Sequence, residues 1–90
     1  MNTREFNKKV RKKVEELNSR GSWNVFYYCD KIKGGRKKVF KSYGSRGWKE
    51  IWERVLEEMD LEKEGWSMFE GFCHYRGDGS VYGIIKREYD

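Results

Sequence analysis

Histidine, cysteine and proline are scarce in this 90-residue chain, which has one histidine, two cysteines and no proline. A zinc site needs a set of cysteine and histidine ligands at short paired spacings. Cys29 and Cys73 lie far apart in the sequence, and His74 is the one imidazole that could join them. We therefore expect no metal site and no cofactor, and we expect both cysteines to be reduced thiols in the core.

The same scarcity argues against catalysis. Glu70, the nearest carboxylate on the strand predicted around His74, is four residues away, which is about 13 Å along an extended chain and too far to orient the ring. We expect a protein that is not an enzyme. A small metal-free ribonuclease that uses His74, Arg76 and a tyrosine is kept as an alternative.

Long hydrophobic runs are absent as well. No segment approaches the roughly 18 apolar residues of a membrane span, and the N-terminal MNTREFNKKVRKK lacks the apolar core of a secretory signal. We find no linker and no low-complexity tract. The expectation is a soluble, cytoplasmic protein with one domain over residues 1–90, a monomer or homodimer with no membrane partner.

Aliphatic side chains are few. The chain has no alanine and only 13 valines, isoleucines and leucines, against 15 phenylalanines, tyrosines and tryptophans. A domain of this size must fill its core with what it has, so aromatic rings must supply much of it. An aromatic ring on an outer surface would then be costly, because the core could have used it.

Charge is present in plenty and is unevenly divided. Residues 1–49 hold 15 Lys and Arg against 4 Asp and Glu, whereas residues 50–90 hold 5 against 11. The net charges of the two parts are therefore +11 and −6. A basic pole attracts polyanions, of which nucleic acid is the commonest, although acidic proteins and membrane surfaces are attracted too.

Two segments have the apolar period of a helix. In residues 3–20 the stripe consists of Phe6, Val10, Val14 and Leu17. The cations of this helix crowd towards its N-terminus, where the helix dipole disfavours them. In residues 47–61 the stripe consists of Trp48, Ile51, Trp52, Val55, Leu56 and Met59, and an acidic outer face carries Glu50, Glu53, Glu57 and Glu58.

Two glycine-containing turns predict β-hairpins. Gly34-Gly35 would join strands at 23–33 and 36–43, and Asp78-Gly79 would join strands at 66–76 and 80–88. The element order α-β-β-α-β-β predicts an α+β two-layer sandwich, in which a four-stranded antiparallel sheet has both helices on one face. The other face of the sheet would be uncovered.

The first hairpin has two chemically different faces. If Lys33 pairs with Arg36, Tyr28 lies opposite Lys41 and Phe26 opposite Tyr43. The more apolar set is assigned to the core: Trp23, Val25, Tyr27, Cys29 and Phe40. The outer set is aromatic and basic: Phe26, Tyr28, Asp30, Ile32, Lys37, Val39, Lys41 and Tyr43.

The second hairpin divides in the same way. With Asp78-Gly79 as the turn, the inward set is Phe69, Cys73, Tyr75, Tyr82 and Ile84. The outward set is Phe72, His74, Arg76, Ile85 and Arg87. A register error of one residue would exchange the two faces.

Flat rings beside lysines and arginines are what an unpaired nucleic-acid strand needs, because rings stack on bases and cations neutralise phosphates. We expect an RNA- or single-strand-binding protein with little sequence preference. Stacking is assigned to Phe26, Tyr28, Tyr43 and Phe72, and phosphate contacts to Lys8, Arg11, Lys12, Lys37, Lys41 and Arg76. The plan is similar to RNA-recognition sheets in architecture only, since neither their element order nor their RNP motif is present.

Two other interpretations stay open. Aromatic residues and lysines also stabilise a sheet that binds nothing, so each ring could serve packing alone. The chain could also be a protein-binding module, such as a phage-type inhibitor that blocks a host enzyme, with the acidic helix meeting a basic partner. RNA could then bridge the protein to a nucleic-acid enzyme.

Overall fold

The structure is a computed structural model that describes residues 3–18, 25–43, 47–73 and 79–89, without the side chains at positions 43, 72, 73, 79 and 80. The elements are two helices, four strands and a short 3-10 turn. In chain order they are α1 Thr3–Leu17, β1 Val25–Ile32, β2 Gly35–Tyr43, α2 Gly47–Glu58, the 3-10 turn Glu62–Glu64, β3 Trp66–Cys73 and β4 Gly79–Tyr89. The predicted order α-β-β-α-β-β is confirmed.

The second helix is shorter than its apolar period suggests. It ends at Glu58 because Asp60 takes a positive φ of 57°. The N–H of Leu61 then bonds to the carbonyl of Leu56 at 3.0 Å, and the N–H of Asp60 to that of Glu57 at 3.2 Å. These are the paired bonds of a Schellman termination, and they fold the buried Leu61 back onto the core.

All four strands form one antiparallel sheet in the order β1-β2-β4-β3. The two hairpins therefore meet through β2 and β4, and β1 and β3 are the edges. Gly35 and Gly83 lie where these central strands approach most closely. A Cβ atom at Gly83 would lie 2.0 Å from the carbonyl oxygen of Phe40, so no side chain fits there.

The register of the first hairpin differs from the prediction by two residues. Ile32 pairs with Gly35, so the turn is Lys33-Gly34 and only Gly34 within it has a positive φ, of 84°. Gly35 stays in the strand because β4 passes against it. Tyr28 consequently lies opposite Val39, and Phe26 opposite Lys41. A shift of two preserves the alternation, so the predicted faces of β1 and β2 are retained.

In the second hairpin, the faces predicted for β3 are wrong. Pairing continues to Cys73 and Gly79, so five residues join the strands instead of two. The pairing register is therefore shifted by an odd number of residues. Tyr82 and Ile84 of β4 remain inward, but the inward and outward residues of β3 are exchanged. Phe69, expected in the core, lies on the outer face, and Phe72 pairs with Ser80 in the alternation set of Trp66 and Met68. The register therefore does not support an outward Phe72.

The core lies between the helices and one face of the sheet, and aromatic rings do supply much of it. Its buried members are Val10, Val14, Val25, Phe40, Trp48, Trp52, Val55, Leu56, Leu61, Trp66, Tyr82 and Ile84. Phe6 links α1 to the sheet through ring contacts with Phe40 and Trp66, at centroid distances of 6.0 and 5.5 Å. The stripes predicted for both helices are confirmed.

Some predicted core positions have a different outcome. Cys29 is exposed, since it lies on the helix side of β1 but beyond the helices, so its assignment to the core was wrong. Trp23 and Tyr75, together with the side chain of Cys73, lie outside the described part of the chain.

A buried polar link fixes α2 on the sheet. The indole N–H of Trp52 donates to the hydroxyl oxygen of Ser42 at 2.8 Å. That hydroxyl donates in turn to the carbonyl oxygen of Tyr82 at 3.4 Å, on the neighbouring strand. Both Trp52 and Ser42 are fully buried, so neither group has water as a substitute partner.

Ser42→Ala should therefore destabilise the fold by about 1 to 3 kcal/mol, because it leaves the Trp52 N–H buried without an acceptor. Chemical denaturation measures this loss. Ser67→Ala, an exposed serine on β3, is the control and should change the free energy of unfolding by less than about 0.5 kcal/mol. Equal effects of the two changes would show that the link adds nothing to stability.

Candidate functional site

The sheet surface that faces away from both helices is called the open face here. Its described side chains come from all four strands and alternate with those of the core. They are Phe26, Tyr28, Asp30, Ile32, Lys37, Val39, Lys41, Ser67, Phe69, Val81, Ile85, Arg87 and Tyr89.

The centre of the open face is apolar and buried although no helix lies over it. Val39 has no exposed surface, and Val81 and Ile85 are also buried. Val39 lies directly across from Tyr28, and Ile85 from Ser67. Rings and lysine stems at the neighbouring positions are long enough to cover this small second apolar cluster.

Tyr28 is the focus of this surface. The Nζ of Lys41 lies 5.1 Å from the centroid of the Tyr28 ring, and the Nζ of Lys37 lies 6.0 Å from it. The observed register produces this arrangement, because the residue opposite Tyr28 is Val39 and the two lysines occupy the diagonal positions on either side. The tyrosine is thus flanked by two cations within cation–π range.

Phe26 and Phe69 extend the aromatic surface. Phe26 is 45% exposed and pairs with Lys41, next to Tyr28 on the same strand face. Phe69 pairs with Gly83 of β4. Its ring leans over Gly71, since a Cβ atom built on Gly71 would lie 3.3 Å from the ring. The sequence did not indicate Phe69 as part of this surface, because the assumed two-residue turn exchanged the inward and outward residues of β3.

The charges of the open face differ from those of the helix side. Lys37 lies opposite Arg87 across β2 and β4, a like-charge pair that a sheet disfavours. Within the described part of the chain, neither of them forms an ion pair, nor does Lys41. Asp30 lies across from Lys37 without coming within the 4.0 Å of an ion pair.

The adjacent pair on the helix side is neutralised instead. Lys38 lies opposite Lys86, and Glu88 approaches both, at 3.1 and 3.8 Å. Glu88 also accepts from Arg36 at 2.6 Å. The hydrogen bonds from Arg36 and then Lys38 hold the pKa of the Glu88 carboxyl below its usual value. One like-charge pair is therefore compensated by an acid, whereas the other forms no ion pair with the described residues.

The predicted basic residues of α1 lie elsewhere. Lys8, Arg11 and Lys12 are exposed on the side of α1 that faces away from Val10 and Val14, and hence away from the sheet. The structure thus divides the predicted site into two surfaces on opposite layers.

The acidic face of α2 is exposed as predicted. Glu58 belongs partly to the fold, because it pairs with Lys13 of α1 at 3.2 Å and with Arg54 at 3.1 Å. These contacts, with the hydrogen bond to Lys13 foremost, lower the pKa of Glu58, and the same bond raises the pKa of Lys13.

Three predicted site residues are not placed in full. Tyr43 is in β2 and pairs with Val81, in the alternation of the open face, but its side chain is outside the description, as is that of Phe72. Arg76 and His74 lie outside the described residues altogether.

Within residues 3–18, 25–43, 47–73 and 79–89, no three metal-ligating side chains come together. Among the same residues, no helix is long and apolar enough to span a bilayer.

Comparisons with known proteins give no neighbour from which a function could be transferred. No protein-family model, no curated protein and no solved structure matches the chain. The function has to be argued from the residues of this chain.

Proposed function

We propose that this protein binds single-stranded nucleic acid, RNA in the first place, with low sequence specificity through the open face. The observation that carries the proposal is the Tyr28 ring flanked by the ammonium groups of Lys37 and Lys41. A base that stacks on this ring displaces the two ammonium groups from above it, and they are then close enough to pair with the flanking phosphates.

The charge pattern supports a ligand over packing alone. The like-charged Lys37 and Arg87 face each other without an acid between them, although Glu88 on the same strand shows that the sheet can supply one. Selection for stability alone would remove such a pair. A polyanion on the open face would compensate it.

Low specificity follows from the chemistry of the surface. Rings recognise any base through its π-face, and ammonium groups recognise phosphates, which carry no sequence information. The open face presents one exposed ring, Phe26, together with half-buried rings and lysines, to a strand.

The rival function is a protein-interaction module. It is favoured by the exposed acids Glu50, Glu53 and Glu57 on α2, which form no ion pair among the described residues and suit a basic partner. Material purified from a cell separates the two functions cheaply. A high ratio of absorbance at 260 to 280 nm that nuclease or salt removes supports nucleic acid, whereas a copurified protein without nucleic acid supports the rival.

Binding to a fluorescent single-stranded RNA should weaken steeply with salt. Contacts to about four to six phosphates give a slope of log affinity against log salt of roughly −3 to −4. The double change Lys37→Gln and Lys41→Gln should reduce this slope by about 1.4, because two phosphate contacts are lost.

The matched control is Lys38→Gln with Lys86→Gln, which removes the same charge from the opposite side of the sheet and should leave the slope unchanged. A wild-type slope near zero, or equal losses in both double variants, would exclude the open face as the site.

Tyr28→Ala should remain folded but lose RNA affinity by roughly 5- to 150-fold, the value of one stacked base. Because the ring also covers Val39, we expect a stability loss of about 1 to 2 kcal/mol. Tyr27→Ala is the opposite case, since that ring packs on Phe40 at a centroid distance of 4.6 Å, and it should cost about 3 kcal/mol of folding. Thermal melts and titrations that show the reverse order would place the site on the helix side.

The basic strip of α1 is tested by the triple reversal Lys8→Glu, Arg11→Glu and Lys12→Glu, at three exposed positions outside the core. An RNA of about six nucleotides should lose less than about threefold in affinity at 0.15 M salt, because the Debye length there is about 8 Å. An RNA of about thirty nucleotides, which can reach around the molecule, should be weakened strongly. A hexamer weakened as much as the long RNA would show that α1 is the primary site.

A further inference from the structure

A cleft of about 530 Å³ opens on the helix side of the sheet, between the start of α1, the end of α2 and the strands. We call it the lysine cleft. Its walls combine apolar and aromatic side chains with two ammonium groups, namely Phe6, Tyr27, Met59, Trp66, Lys38 and Lys86. This volume is within the range of about 300 to 1,000 Å³ that small-molecule sites occupy.

The cleft exists because the helices cover only part of the sheet. The row of residues that runs from Cys29 through Lys38 and Lys86 to Trp66 lies at the border of the core. Because α2 has already ended in the turn at Asp60, it does not cover this row, and the cleft lies there instead. The exposure of Cys29 has the same origin.

Rings are available on two walls. Phe6 and Tyr27 are half-buried, and each contacts Phe40 from its own element, at centroid distances of 6.0 and 4.6 Å. Trp66 is buried and forms part of the floor. Partial burial from solvent is the first cause of the raised pKa of the Tyr27 hydroxyl.

The charges around the cleft do not balance. Arg36, Lys38 and Lys86 all converge on the carboxylate of Glu88. Glu64 lines the cleft as a second acid, which leaves an excess of one positive charge among these five groups. An anion that enters the cleft competes with Glu88 for the two lysines.

We propose that the lysine cleft binds a nucleoside monophosphate. The base lies against Phe6 and Tyr27, and the phosphate displaces the Glu88 carboxylate from Lys38 and Lys86 and pairs with these lysines instead. The site is independent of the open face, since Lys38 and Lys86 alternate with Lys37 and Arg87 and project from the other side of the sheet. It can therefore be present whether or not the open face binds RNA.

The test is calorimetric titration with adenosine 5′-monophosphate, followed by adenosine and inorganic phosphate as the two half-ligands. The monophosphate should bind at least about tenfold more tightly than either half, because each half lacks one set of contacts. Equal binding of phosphate and monophosphate, or no binding of the monophosphate at millimolar concentration, overturns the proposal.

Variants make the test specific. Lys38→Gln with Lys86→Gln should weaken the monophosphate about tenfold or more, and Glu88→Gln should strengthen it several-fold by removing the competing carboxylate. Lys9→Gln with Lys49→Gln, which removes two exposed helix lysines that line neither the cleft nor the open face, is the matched control and should have no effect, with melts confirming that all variants are folded. A loss in the control equal to that in the Lys38 and Lys86 double variant, or weaker binding in folded Glu88→Gln, would refute the site.

Discussion

The hydrogen bond from the Trp52 indole to the Ser42 hydroxyl fixes α2 on one side of the sheet. It holds the largest buried side chain of α2 against the C-terminal end of β2, and the bond from Ser42 to the Tyr82 carbonyl extends the contact to β4. With α2 fixed there, α1 can pack beside it through Lys13 and Glu58 and against the sheet through Phe6. The open face is what this choice leaves uncovered.

Much of the fold could be predicted from the sequence because the relevant patterns are local. The stripes of both helices, the element order and the alternation of β1 and β2 follow from periodicity and turn residues. The register could not be predicted as well, since Gly34-Gly35 offers two turns and the choice depends on β4 passing against Gly35. The connection between β3 and β4 was predicted to have two residues but has five. This odd difference exchanged the two faces of β3, so that the prediction placed Phe69 in the core and Phe72 outside.

The candidate site was predicted in part for the same reason. The aromatic and basic character of Phe26, Tyr28, Lys37 and Lys41 is a property of two alternating strands and survives a shift of two residues. Its separation from Lys8, Arg11 and Lys12 depends on the layers, about which a linear sequence says nothing. The burial of Val39, Val81 and Ile85 under the open face, and the exposure of Cys29, are likewise properties of the folded arrangement that a linear sequence does not show.

The sheet order has a kinetic consequence. Each hairpin pairs strands that are close in sequence, so either can form on the microsecond scale of isolated hairpins. The central pairing of β2 with β4 joins residues about as far apart as Phe40 and Ile84, with α2 in the intervening loop. Closing such a loop costs entropy before its contacts form, so the docking of the two halves should limit the folding rate. Until then β2 and β4 are both unprotected edges, which is when this small domain is most prone to pair with another copy of itself.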